Sequence, residues 1–153
     1  SYDLQGRRIA VSNPAIQSNP LLQQAYTPDG LLASLTIARS NSLTNVSSYA
    51  YDGFDRLATA TYPNASTEVL GYDANGNIQF LERTNAAGAT TEKFQYNYTA
   101  NTNKLASITN IPAGTTYASY TYDLLGQLTY ENTLNAAQKK CHIHPAGSGV
   151  CVQ

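Results

Sequence analysis

Apolar residues along this chain recur at every second position in short runs. Tyr49 and Tyr51, Leu70 and Tyr72, Tyr96 and Tyr98, and Tyr120 and Tyr122 are each two apart, so each pair shares one face of an extended strand. Leu57-Ala58-Thr59-Ala60-Thr61-Tyr62 and Leu128-Thr129-Tyr130 resume the alternation with residues that favour strands. Turn-forming clusters punctuate the runs: Asn13-Pro14, Asn19-Pro20, Pro63-Asn64-Ala65-Ser66, Asn85-Ala86-Ala87-Gly88-Ala89 and Pro112-Ala113-Gly114. Leu21-Leu22-Gln23-Gln24-Ala25 reads as strand in this frame. Asn132 to Lys140 is the best candidate for a helix.

A second pattern lies over the alternation. The string Tyr-Asp-x-x-Gly-x-Leu recurs along the chain. It is cleanest at Tyr72-Asp73-Ala74-Asn75-Gly76-Asn77-Ile78 and Tyr122-Asp123-Leu124-Leu125-Gly126-Gln127-Leu128. It is recognisable at Tyr2-Asp3-Leu4-Gln5-Gly6, at Tyr26-Thr27-Pro28-Asp29-Gly30-Leu31-Leu32, and at Tyr51-Asp52-Gly53-Phe54-Asp55-Arg56-Leu57. The copy starting at Tyr98 is degraded and one residue longer. Successive tyrosines are 24, 25, 21, 26 and 24 residues apart. Asp at the first turn position accepts backbone hydrogen bonds, and Gly three residues later takes the positive φ that closes the turn between antiparallel strands. A period of about 24 residues holds two strands, this tight turn and a looser return loop. The fold expected is all-β: a repetitive antiparallel β-hairpin array of about six ~24-residue units, spanning residues 1–134, followed by a tail, 135–153.

Composition narrows the function classes. Only 12% of the 153 residues are charged and the formal net charge is -1, which argues against a nucleic-acid or anionic-membrane surface. No apolar run reaches the roughly 18 residues of a membrane span. Tyr outnumbers Phe by 12 to 3, so most aromatic positions carry a hydroxyl that stays hydrated or bonded. The first residues lack the basic start and apolar stretch of a signal peptide. Tyr2 opens in the middle of a unit with no polar cap, so the expectation is either flanking repeats or head-to-tail self-association through an open strand edge.

Tyr-Asp-x-x-Gly-x-Leu at this period resembles the YD repeats of the RHS family, which includes bacterial polymorphic toxins, the C component of insecticidal toxin complexes, wall-associated proteins and teneurins. The resemblance covers roughly residues 1–134. It implies a long spiralling antiparallel sheet, part of a hollow shell or solenoid. In the toxins that shell encloses a cytotoxic C-terminal domain, and in teneurins it is an extracellular scaffold. Toxin shells end in a closing segment, many with a self-cleaving aspartyl centre. No paired Asp motif follows Leu134, and six units are fewer than a closed shell needs.

The candidate residues are therefore structural. Tyr2, Asp3, Gly6, Tyr26, Asp29, Gly30, Tyr51, Asp52, Tyr72, Asp73, Gly76, Tyr98, Tyr122, Asp123 and Gly126 form the turn motif. Each turn offers a single Asp, against the several convergent oxygens a Ca²⁺ site requires. The tyrosine stripes read first as cross-strand aromatic pairs, with a sugar-stacking surface as the alternative. The tail holds Cys141, His142, His144 and Cys151. A Cys141–Cys151 disulfide is the leading reading for an exported chain, with free thiols, a metal site and a Cys–His nucleophile as alternatives. Sequons stand at Asn45, Asn64 and Asn97, as expected by composition. The function expected is a non-enzymatic, extracellular or surface-displayed bacterial scaffold without a cofactor. Its partners would be itself or flanking repeats. Carbohydrate adhesion or a toxin-cocoon fragment is the alternative.

Overall fold

The computed structural model describes residues 1–13, 15, 20–38, 44–133, 140–143 and 149–152, with side chains described up to residue 131 outside the gaps and excepting Thr44. Among these residues every regular element is a strand. The order is β1 (Ala10–Val11), β2 (Leu22–Tyr26), β3 (Leu32–Ala38), β4 (Thr44–Tyr51), β5 (Leu57–Thr61), β6 (Thr67–Tyr72), β7 (Ile78–Thr84), β8 (Thr90–Tyr98), β9 (Leu105–Asn110), β10 (Thr115–Tyr122), β11 (Leu128–Thr133), β12 (Lys140–Ile143) and β13 (Gly149–Val152). The first eleven form one sheet whose spatial order is the sequence order, and β12 and β13 form a separate two-stranded sheet. The 21–25 stretch is strand, as the alternation predicts. Of the helix candidate, Asn132 and Thr133 lie in β11 and Lys140 in β12, while 134–139 lie outside the described residues.

The chain divides into two units, Ser1–Val69 with Arg83–Ala89, and Leu70–Glu82 with Thr90–Gln153. In the first, the register runs Tyr49↔Ala60↔Glu68 on one face and Ser48↔Thr61↔Thr67 on the other. In the second, it runs Tyr96↔Ile108↔Ala118 on one face and Asn97↔Ser107↔Ser119 on the other. Because side chains alternate across a strand, the second unit has at these positions one face of Tyr, Ile and Ala and one of hydroxyls and amides, while in the first Glu68 shares the Tyr49 face and Val46 the Ser48 face. Hydroxyls and amides bond to one another within a face: Asn97 Nδ2 donates to Ser107 Oγ at 3.1 Å and Thr109 Oγ1 at 3.0 Å, and Thr67 and Thr84 hydroxyls meet at 2.7 Å. Buried apolar side chains among the described residues are Ala38, Ala60, Leu81 and Ala118. Most strand positions are only half-buried. Cohesion therefore rests on ladders and cross-strand pairs more than on a central core.

The turns at one end of the strands share one geometry. Asp73 N–H donates to Asn77 O at 2.9 Å, and Gly76 N–H donates to Asp73 O at 3.1 Å. The Asp73 carboxylate accepts the Asn75 and Asn77 amides, both at 2.9 Å. Asp3, Asp52 and Asp123 head equivalent turns. In the second copy Thr27, not Asp29, occupies this position: its Oγ1 accepts Leu31 N–H at 3.0 Å. In the third, the left-handed position falls on Asp55 (φ 62°), not on Gly53. Asp tolerates that region better than most residues because its short side chain bonds locally.

The return loops are tighter than the looser connection expected from the period. Tyr62 N–H donates to Ser66 O and Asn85 N–H to Ala89 O, both at 2.9 Å. Ala65 (φ 61°) and Gly88 (φ 78°) hold the left-handed position. Both strand ends are thus closed by the same five-residue turn at these connections.

Candidate functional site: a latch between repeats

Each motif tyrosine after Tyr2 stands at the end of the strand entering a turn, and the motif's apolar residue opens the strand leaving it. The register pairs them directly: Tyr26↔Leu32, Tyr51↔Leu57, Tyr98↔Leu105 and Tyr122↔Leu128. A register shift falls immediately before each tyrosine. These tyrosines therefore close their own hairpins against an aliphatic partner. That differs from the aromatic–aromatic pairing expected from the stripes. Phe94 and Tyr117 do form a ring pair, centroids 5.0 Å apart.

The tyrosine hydroxyl reaches back to the preceding unit. Tyr26 Oη donates to Arg8 O at 2.9 Å, Tyr51 to Leu32 O at 2.9 Å, Tyr98 to Ile78 O at 2.8 Å and Tyr122 to Leu105 O at 3.1 Å. Every acceptor is the residue at the motif's Leu position in the unit before. The ring closes one hairpin and the hydroxyl holds the neighbouring one, so a single side chain ties two units. Burial raises the Tyr98 phenol above its ordinary pKa, with the charge of Asp73 adding to it.

Cations complete two of these joints. Arg7 lies 4.5 Å from the centre of the Tyr26 ring and Lys104 5.7 Å from that of Tyr122. Both occupy the position just before the motif's Leu position, which is Arg8 in the first copy and Leu105 in the fifth. Arg7 is held by Asp3, with Nε 2.7 Å from Oδ2, and Arg56 is held by Asp52 in the same way at 2.7 Å. The Arg56 side chain, followed by backbone amides, holds the Asp52 carboxyl below its usual range against a smaller effect of burial. For Asp3 burial pushes the carboxyl up, but the Arg7 amide, guanidinium and charge outweigh it and leave it lowered. Asn77 replaces the arginine at Asp73, and its side-chain amide is the largest cause of the lowered Asp73 carboxyl. The same Asn77 amide nitrogen donates to Asn103 Oδ1 at 2.9 Å, another contact with the following unit.

Sequence reasoning placed the tyrosine as a turn marker and missed its acceptor, because the partner lies on the next strand. Tyr2 heads the first turn and is 70% exposed. Cys141 stands opposite Cys151 in the β12–β13 register, and their side chains lie outside the described residues. Among the described residues no group of three His, Cys, Asp or Glu side chains is arranged to hold a metal. An open cleft in the first unit is lined by Ser1, Ile9, Ser12, Gln23, Gln24 and Thr36 among others, none with a charged side chain.

The family model for the RHS repeat matches residues 26–67. Residues 26–67 are thus similar to an RHS repeat. The matched segment runs from the Tyr26 turn to the start of β6 and contains the Tyr51–Leu32 joint. Among solved structures, a chain of the Tc holotoxin pore from Photorhabdus luminescens is 16% identical over 86% of this chain and 8% of its own, with a TM-score of 0.45. A chain of the TcdB2–TccC3 crystal structure is 15% identical over 73% of this chain and 8% of its own, with a TM-score of 0.38. This chain thus spans about 8% of the length of those chains. No curated protein matches. No helix among the described residues is long and apolar enough to cross a membrane.

Proposed function

We propose that this chain is a non-enzymatic scaffold module of a secreted or surface-displayed protein, extended at its strand edges by flanking repeats or by further copies of itself. The observation that carries this reading is the recurrence of one tyrosine joint at four successive interfaces, a device that adds units without a shared core. A place in a shell of the kind that surrounds toxin cargo is the finer form of the same reading. The alternative of a sugar-binding face could not draw on the hydroxyls of Tyr26, Tyr51, Tyr98 and Tyr122, which already donate to backbone carbonyls.

Light scattering of the full chain over a concentration series, together with a glycan array, tests the proposal. Association that grows with concentration, without glycan binding, is expected. A monodisperse monomer at high concentration would overturn extension by further copies, and glycan binding abolished by Tyr→Ala changes would overturn the scaffold reading.

A further inference from the structure

We propose that Asn75 and Gly76 form a self-modification site, an ageing switch that opens the Asp73 turn and loosens its contact with the following repeat. They are the chain's single Asn-Gly pair, and both are exposed at the tip of the turn. The Gly76 backbone nitrogen can attack Asn75 Cγ, because glycine puts no side chain in the way. The Gly76 amide proton and the Asn75 side-chain amino group leave together as ammonia, and a five-membered imide remains. Water then adds across one of the two imide C–N bonds. Opening at Cγ gives Asp, and opening at the Asn75 backbone carbonyl gives isoaspartate. Nothing is oxidised or reduced, and water is the co-reactant.

The folded turn holds the pair back. The attacking nitrogen must lose its proton, and that N–H donates to Asp73 O at 3.1 Å. The Asn75 and Asn77 amides both donate to Asp73 Oδ1 at 2.9 Å, which fixes the backbone on either side of Gly76. The Gly76 amide also faces the Asp73 carboxylate, whose charge opposes a second negative charge there. Cyclisation therefore waits for the turn to open, and Asp73 sets how often it does. The same position in sister turns is a poorer site. Ala87 and Leu125 have no amide, Gln5 would need a larger ring, and Asp29 as a carboxylate is a poor electrophile. Either product adds a negative charge two residues from Asp73, and isoaspartate also adds a backbone carbon. Both disturb Asn77, whose Nδ2 bonds Asp73 Oδ2 and Asn103 Oδ1, each at 2.9 Å.

The test incubates the full chain in mildly alkaline buffer, folded and in urea, and follows Asn75 by peptide mass spectrometry with an isoaspartate assay. Conversion should proceed in the folded chain, about tenfold or more slower than in urea. Asp73→Ala should speed it about tenfold in the folded chain, because bonds to a charged acceptor are removed. Asp123→Ala, which loosens an equivalent turn without an Asn-Gly pair, should leave the Asn75 rate unchanged. Converted protein, separated by its added charge, should exchange the Asn77 amide faster than the parent. No conversion in the folded chain would overturn the site, and a rate equal to that in urea would overturn the gate. Equal acceleration by Asp123→Ala would trace the reaction to global unfolding and overturn local gating. Unchanged Asn77 exchange after conversion would overturn the switch.

Discussion

Removing one hydroxyl, in Tyr98→Phe, tests the joint between repeats most directly. The ring remains, so its pairing with Leu105 and its buried area are preserved. What is lost is the 2.8 Å bond to the Ile78 carbonyl. A bond between neutral groups contributes about 0.5–1.5 kcal/mol net, and an acceptor stranded away from water costs about 1–3 kcal/mol. Tyr98 is half-buried, so water reaches the freed carbonyl in part and the loss should be about 1 kcal/mol. In a chain of this size that lowers the melting temperature by roughly 2–4 °C. Urea unfolding followed by circular dichroism gives the free energy, and scanning calorimetry gives the temperature. Tyr117→Phe is the control, because the Tyr117 ring packs on Phe94 and no bond to its hydroxyl is seen. It should stay within about 0.5 kcal/mol of the parent. Tyr51→Phe should repeat the Tyr98 loss, and the two should add within about 0.5 kcal/mol because no partner is shared. Equal stability of Tyr98→Phe, Tyr51→Phe and Tyr117→Phe would refute the joint.

Other expectations follow from the same geometry. The lowered Asp52 and Asp73 carboxyls stabilise the fold above the ordinary Asp pKa of about 3.9, and that contribution is lost as pH falls through their lower folded values. Urea midpoints should therefore drop in acid, and Asp52→Asn should flatten the drop. The raised Tyr98 phenol acts at the other extreme, because the unfolded chain loses its proton first and stability falls as pH rises above about 10. Tyr98→Phe should soften that alkaline limb, read as the unfolding midpoint between neutral and strongly basic pH. A Cβ on Gly71 would sit 2.0 Å from Phe80 Cε1, so Gly71→Ala should cost about 1–3 kcal/mol, and much less in a Phe80→Leu background. Ala65 holds φ 61°, a region that costs a non-glycine residue about 1–2 kcal/mol. Ala65→Gly should raise stability in thermal unfolding, and a lowered melting point would count against the strained turn.

The hairpin array was readable in the sequence because the tyrosine, the turn Asp and the Gly sit at fixed offsets within one local segment. Thr27 was harder to place, since Asp29 offers the expected carboxylate two residues later while the hydroxyl of Thr27 makes the bond. The return turn at Asn85 was readable in principle, as Asn85 and Gly88 repeat the Asp73–Gly76 spacing. It was read as a return loop, but not as a copy of the Asp73 turn, because no tyrosine precedes it. The turn at Tyr62 carries no such mark, and only the backbone reveals its shared geometry. The hydroxyl acceptors were hidden for a different reason. Arg8, Leu32, Ile78 and Leu105 contribute a carbonyl, and a carbonyl is common to every residue type. No side-chain pattern can single one out until the neighbouring strand fixes the register.

The four joints link residues only 17 to 20 positions apart in the chain. Loop-closure entropy rises slowly with length, so each joint closes at nearly the same cost wherever it lies. Folding can then begin at any repeat and spread outward, with no late step that must bring distant segments together. Such a chain tolerates gain or loss of whole repeats, because each new tyrosine finds its carbonyl in the repeat just before it.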